Sequence, residues 1–145
     1  MEINNDCAVL NDIYKNAQTG CQGISDLMPR VTNSAFRSDL VTQGNEYKAI
    51  AHLATDRLIE MGDTPSEIGP MQRVGMWAAV TSKTMMNSDT SHLAEMMITG
   101  STMGITNMTK VLNSYQNPNP QVKTLADQLI NTEHQNIERL KAYLH

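Results

Sequence analysis

Glu133 and Asn136 stand three residues apart on what periodicity makes the buried side of a helix, and Gln43 and Glu46 repeat that spacing on another. In helical bundles that hold paired metals, a glutamate and a histidine so separated point inward together and share cations with carboxylates from facing helices. Here the positions that would need histidine carry other residues. Two carboxylates cannot neutralise two divalent cations, and no imidazole is placed to complete the coordination. What Gln43, Glu46, Glu133 and Asn136 support by themselves is a hydrogen-bonded polar layer inside an apolar bundle. Such a layer sets helix register, because a buried amide or carboxylate must find partners or cost several kcal/mol. A single weakly held cation or a small polar ligand is the other use of the same four side chains. No group of residues is arranged for catalysis, so the expectation is a protein that is not an enzyme, with no metal and no cofactor.

These side chains can only meet if helices carry them. Apolar residues recur at intervals of three and four almost throughout, and no stretch alternates with strand period, so the class is all-α. The first helix is predicted from about Asp6 to Val31, with Leu10, Ile13, Ala17, Ile24 and Met28 on one side and Pro29 tolerable only in its last turn. A second begins after Thr32-Asn33-Ser34, carries Phe36, Leu40, Tyr47, Ile50 and Leu58, and ends at Gly62. A shorter pattern around Trp77 spans about Pro70 to Asn87, and the cap run Ser88-Asp89-Thr90-Ser91 breaks it from a long helix through Leu93, Met97, Met108 and Tyr115. Asn117-Pro118-Asn119-Pro120 stops that helix, and the last carries Val122 to Leu144. Four helices of roughly 25 residues would each be about 37 Å long. The connection between the second and third long helices is far longer than the other two, so it can return along the bundle and leave those two parallel, with the short helix in the crossover.

Helical-wheel positions at about 100° per residue put Gln43 and Asn136 inside, Glu46 and Glu133 on the flanks, and His52, His134 and Glu95 outside. On the first helix the central inward positions are Ala17, Gly20 and Cys21. On the third long helix they are Gly100, Gly104 and Asn107. These small residues either bring helices close together or leave a cavity that Tyr14, Tyr47 and the methionines fill. Eleven methionines serve as core filler or as an adaptable surface, and Met96, Met103 and Ile105 are expected to continue an apolar stripe toward a second copy of the chain. Cys7 and Cys21 fall on one helix about 21 Å apart, which excludes a disulfide between them.

At 145 residues with no linker-like stretch, the chain reads as a single domain over residues 1–145. Charged residues make up 18% of it, the net charge is −4, and the lysines and arginines do not cluster. That composition argues against nucleic acid as a partner. The opening MEINNDCAVL is acidic where a secretory signal is basic, and no apolar run approaches ~18 residues. No membrane association is expected, and a cytoplasmic location is.

The paired segments NEYKAIAHL and TEHQNIERL, with the helix order and the long central crossover, resemble the ferritin-like superfamily. Glu46 and Glu133 match the glutamates opening that superfamily's two Glu-x-x-His motifs, while Ala49 and Asn136 occupy its histidine positions. The segments HLAEMMITGSTMG and IERLKAYL further resemble small uncharacterised ferritin-like proteins of Firmicutes, some labelled spore-coat-like. The resemblance implies an all-α, ferritin-like up-down bundle of four long helices with a short extra helix in the crossover. It also implies descent from a di-metal protein whose ligands are largely gone. The function expected is a structural or protein-interaction module acting as a homodimer or with another protein partner. The alternatives are a degenerate metal or small-ligand binder using the polar layer, and a spore-coat-associated protein.

Overall fold

Three asparagines supply the acceptors that start three of the four α-helices found among the described residues. Asn5 accepts from the Ala8 N–H at 2.8 Å and opens α1 (Asp6–Leu27). Asn33 accepts from the Phe36 N–H at 2.9 Å and opens α2 (Ser34–Glu60). The third helix, α3 (Thr90–Asn113), follows Asp89, whose carboxylate lies 3.4 Å from the His145 imidazole. Asn119 accepts from Gln121 N–H at 2.9 Å and opens α4 (Pro120–Leu140). Each cap satisfies a backbone donor that the first turn of a helix leaves without a partner.

The computed structural model describes residues 5–66 and 89–145, and among them there is no strand. The helix expected around Trp77, together with Met85 and Met86, lies outside the described residues. Two helix ends differ from expectation. The first helix closes at Leu27 and continues as a 3-10 turn over Met28–Arg30, because Pro29 has no N–H with which to extend the α ladder. The last closes at Leu140 and continues as a 3-10 turn over Lys141–Tyr143, leaving Leu144 exposed rather than on the apolar side. The second helix ends as Gly62 predicts. Its φ of +78° lets the Asp63 N–H reach back to the Leu58 carbonyl at 2.9 Å, a conformation that would strain a side chain.

The helices pack about one core containing Leu10, Ile13, Phe36, Leu40, Ile50, Leu58, Leu93, Met108, Leu129 and Leu140, all essentially inaccessible. Helix α1 touches the other three, and α4 packs against α2 and α3. Contacts between side chains give their directions. Cys7 meets Met61, so α1 and α2 are antiparallel. Tyr115 donates to Asp6, bringing the end of α3 to the start of α1. Tyr143 donates to Asp39 and stacks edge-on against Phe36 at 5.0 Å between ring centroids, bringing the end of α4 to the start of α2. Ser91 accepts from the His145 N–H at 3.0 Å, so α3 and α4 are antiparallel. Among the described residues no helix is long and apolar enough to cross a membrane.

Burial corrects two expectations about α3. Asn107 is exposed, because the inward line runs through Met97, Ser101, Gly104 and Met108. Met96 is only 5% accessible and belongs to the core. The stripe proposed to run outward from it therefore reduces to Met103, 41% accessible, and the half-buried Ile105.

Candidate functional site

At mid-height the core becomes polar. Glu133 of α4, expected on a flank, is buried to 6% accessibility. Its Oε1 accepts hydrogen bonds from the Tyr47 hydroxyl of α2 and from the Ser101 hydroxyl of α3 at 3.5 Å. Three helices thus converge on one carboxylate. Burial pushes its pKa up to about 7, against the opposing pull of the two donated hydrogen bonds. A carboxyl taken out of water favours its neutral form. Tyr47 is shifted upward as well, first by burial and then by the neighbouring Glu133, and the Asn136 amide faces the same phenol.

Two glycines make room for this group. A Cβ on Gly20 would stand 2.7 Å from Cε2 of the Tyr47 ring, and one on Gly104 would land on the Glu133 carboxylate, 3.3 Å from Cδ. Gly20, Gly100, Gly104, Thr19, Asn16, Met97 and the Tyr47–Ser101–Glu133 group surround a cavity of about 20 Å³, room for about one water. The small residues therefore serve mainly close approach. Ala17 is fully buried in the core, while Gly20 and Gly100 are half-buried. Cys21 is half-buried too, its thiol 3.8 Å from the Gly44 carbonyl oxygen and raised in pKa by burial.

The four residues singled out by spacing are not used alike. Glu133 and Asn136 enter the layer with Tyr47. Glu46 turns to the rim and pairs with Arg139 at 2.9 Å, and Arg139 in turn donates to the Asn136 side-chain oxygen at 3.5 Å. Gln43 is completely buried, yet among the described residues neither its Nε2 nor its Oε1 has a hydrogen-bond partner, and Asn136 Nδ2 has none there either. Among the described residues the layer is satisfied around Glu133, half-satisfied at Asn136 and unsatisfied at Gln43.

An unpaired buried amide carries a desolvation cost of about 1–3 kcal/mol. Gln43→Leu is therefore expected to raise stability by about 1 kcal/mol, read as a higher urea midpoint at unchanged slope. A loss of stability would show that Gln43 makes a bond that holds the fold.

Tyr47 and Ser101 are the partners that spacing missed. Tyr47 reads as an apolar filler opposite the glycines, although a buried phenol needs a hydrogen-bond acceptor and Glu133 is the acidic residue nearest the inward stripe of the facing helix. Ser101 carries no signal beyond lying on the small-residue line of its helix. Among the described residues no three His, Cys, Asp or Glu side chains are grouped as a metal site would need. The donors at the centre do not fit a paired-metal site: one carboxylate, a phenol, a serine and an amide, with the second glutamate turned to Arg139. Compared with family profiles, with curated proteins and with solved structures, the chain gives no significant match.

Proposed function

We propose that this chain is a ferritin-like four-helix bundle that acts as a structural or protein-interaction module, with a central polar layer that holds helices in place rather than a metal. The observation that carries this reading is the Glu133 carboxylate, enclosed by the Tyr47 phenol, Ser101 and Gly104 with room left for about one water. Two further features support the ferritin-like architecture: α2 and α3 run in the same direction, and residues 61–89 connect them. Homodimerisation through the side of α3 that exposes Met103 extends the same proposal. Spore-coat association rests on the sequence resemblance alone.

The atoms of Gln43 and Asn136 left without a partner among the described residues favour a second reading, a degenerate metal or small-ligand binder using the buried polar layer. Metal content and unfolding temperature after anaerobic incubation with iron, manganese or zinc separate the readings, measured on wild type and on Glu46→Ala/Glu133→Ala beside the solution mass. The module reading expects no stoichiometric metal, no thermal shift and a mass above one chain. Stoichiometric metal with a stability gain that the double variant loses would restore a metal centre and overturn it.

A further inference from the structure

We propose that the outward face of α3 between Glu95 and Lys110 pairs with the same face of a second copy of this chain, antiparallel about a two-fold axis passing between Thr102 and Met103. The inference rests on the homodimer reading above and gives it an interface. Glu95, Thr99, Thr102, Thr106, Thr109 and Lys110 fall within about 100° of arc around the helix, and all six are exposed. Met103 is exposed on one flank of this face, and the half-buried Ile98 and Ile105 lie on the other. From Met96 to Thr109 no side chain is charged. The solvent side of a helix ordinarily carries charged residues, whereas the centre of a protein interface is depleted of them and enriched in methionine.

The threonines make the face easy to remove from water. Each hydroxyl donates to a carbonyl of its own helix: Thr99 to Glu95 at 3.1 Å, Thr102 to Ile98 at 2.9 Å, Thr106 to Thr102 at 3.0 Å and Thr109 to Ile105 at 2.7 Å. A threonine hydroxyl has one donor, so a helix docked here leaves no hydroxyl proton without an acceptor. Imperfectly paired polar groups are among the main costs of association, and this face presents few of them. Its short side chains also let a second helix approach closely, toward the lower end of the usual 8–10 Å between axes.

Charge selects a second copy as the occupant and sets its direction. Glu95 and Lys110 bound the face at its two ends, about 22 Å apart along the axis. Among the described residues neither pairs with an opposite charge. Antiparallel pairing brings Glu95 of each copy to Lys110 of the other, so one complementarity is satisfied twice by symmetry. Parallel pairing in register would oppose like charges at both ends. Two helix faces of this length bury less than the roughly 1,200 Å² at which standard interfaces begin, so the dimer is expected to be reversible.

Sedimentation equilibrium of the full chain over a concentration series at low salt tests the interface. A reversible monomer–dimer equilibrium is expected. Thr102→Arg sets two like charges beside the axis and should weaken association by at least about tenfold. Thr42→Arg, at an exposed threonine of α2 bonded in the same way to the Ser38 carbonyl, should leave it unchanged. Glu95→Lys and Lys110→Glu should each weaken association by about tenfold, and Glu95→Lys/Lys110→Glu should restore it. All the variants should keep the wild-type circular dichroism. A wild type that stays monomeric at every concentration overturns both this interface and the homodimer reading. A dimer that Thr102→Arg leaves intact, that Thr42→Arg weakens equally, or that the double charge reversal fails to restore overturns the α3 interface and leaves the homodimer reading standing.

Discussion

Wild-type protein is expected to lose about 3 kcal/mol of stability as pH rises from 4.5 to about 7, and Glu133→Gln to lose almost none of it. The folded-state pKa of Glu133 is raised from 4.5 to about 7 by burial. Between those values the native state holds a proton that the unfolded chain has released. Stability therefore falls with rising pH across the window, is greatest below the unfolded pKa and levels off once pH exceeds the folded one. At about 1.4 kcal/mol for each pH unit the window amounts to about 3 kcal/mol, an order-of-magnitude figure. Glutamine keeps an oxygen for the Tyr47 hydroxyl and carries no charge to desolvate, so the variant should be the more stable of the two at pH 8. Urea unfolding at pH 5 and pH 8 checks this. Equal pH dependence in both proteins would mean that Glu133 is ionised and compensated in the fold.

The second large effect is steric, and two helical glycines should respond with opposite sign. Gly20→Ala drives a methyl group to within 2.7–2.9 Å of three Tyr47 ring atoms. The ring cannot swing away cheaply, because its hydroxyl is bonded to Glu133. Overpacking of this kind costs about 1–3 kcal/mol, only partly offset by alanine's better helix propensity, and a net loss of about 2 kcal/mol is expected. Gly44→Ala meets nothing closer than Ile24 Cδ1 at 3.8 Å, and propensity alone should stabilise it by about 0.5–1 kcal/mol. Chemical denaturation of the pair decides the matter. If both variants gain stability, Tyr47 has somewhere else to go and the layer is looser than its contacts imply.

The helices were legible in the sequence because caps and breakers act locally. Asn33, Gly62 and the Asn117-Pro118-Asn119-Pro120 run each do their work through bonds within a few residues, so reading them needs no tertiary information. The inward placement of Gln43 and Asn136 was legible for the same reason: a wheel registers only the direction in which a residue leaves its own helix. Partnership across helices was not. Tyr47 and Glu133 are 86 residues apart, and nothing in either segment shows that one helix presents a phenol where another presents a carboxyl. Glu46 illustrates the converse. Its spacing marked it as a member of the layer, but Arg139 draws it to the rim, and that depends on how α2 and α4 face each other. Asn107 fails for a related reason, since it stands about 120° around α3 from Ser101 and only the packing of the neighbouring helices shows which of the two faces inward.

Three of the chain's four tyrosines join a carboxylate on another helix: Tyr115 to Asp6, Tyr47 to Glu133 and Tyr143 to Asp39. They lie near one end, the middle and the other end of the molecule. Apolar side chains alone tolerate a helix sliding along its axis by one turn, about 5.4 Å, because a leucine that leaves one contact arrives at another. A phenol has no such second position: displaced by a turn, its hydroxyl faces hydrocarbon and its carboxylate loses its donor. The Tyr115 tie fixes α1 against the end of α3, and the other two fix α2 against α4 at separate heights. Axial sliding between these pairs breaks hydrogen bonds while burying almost the same apolar surface.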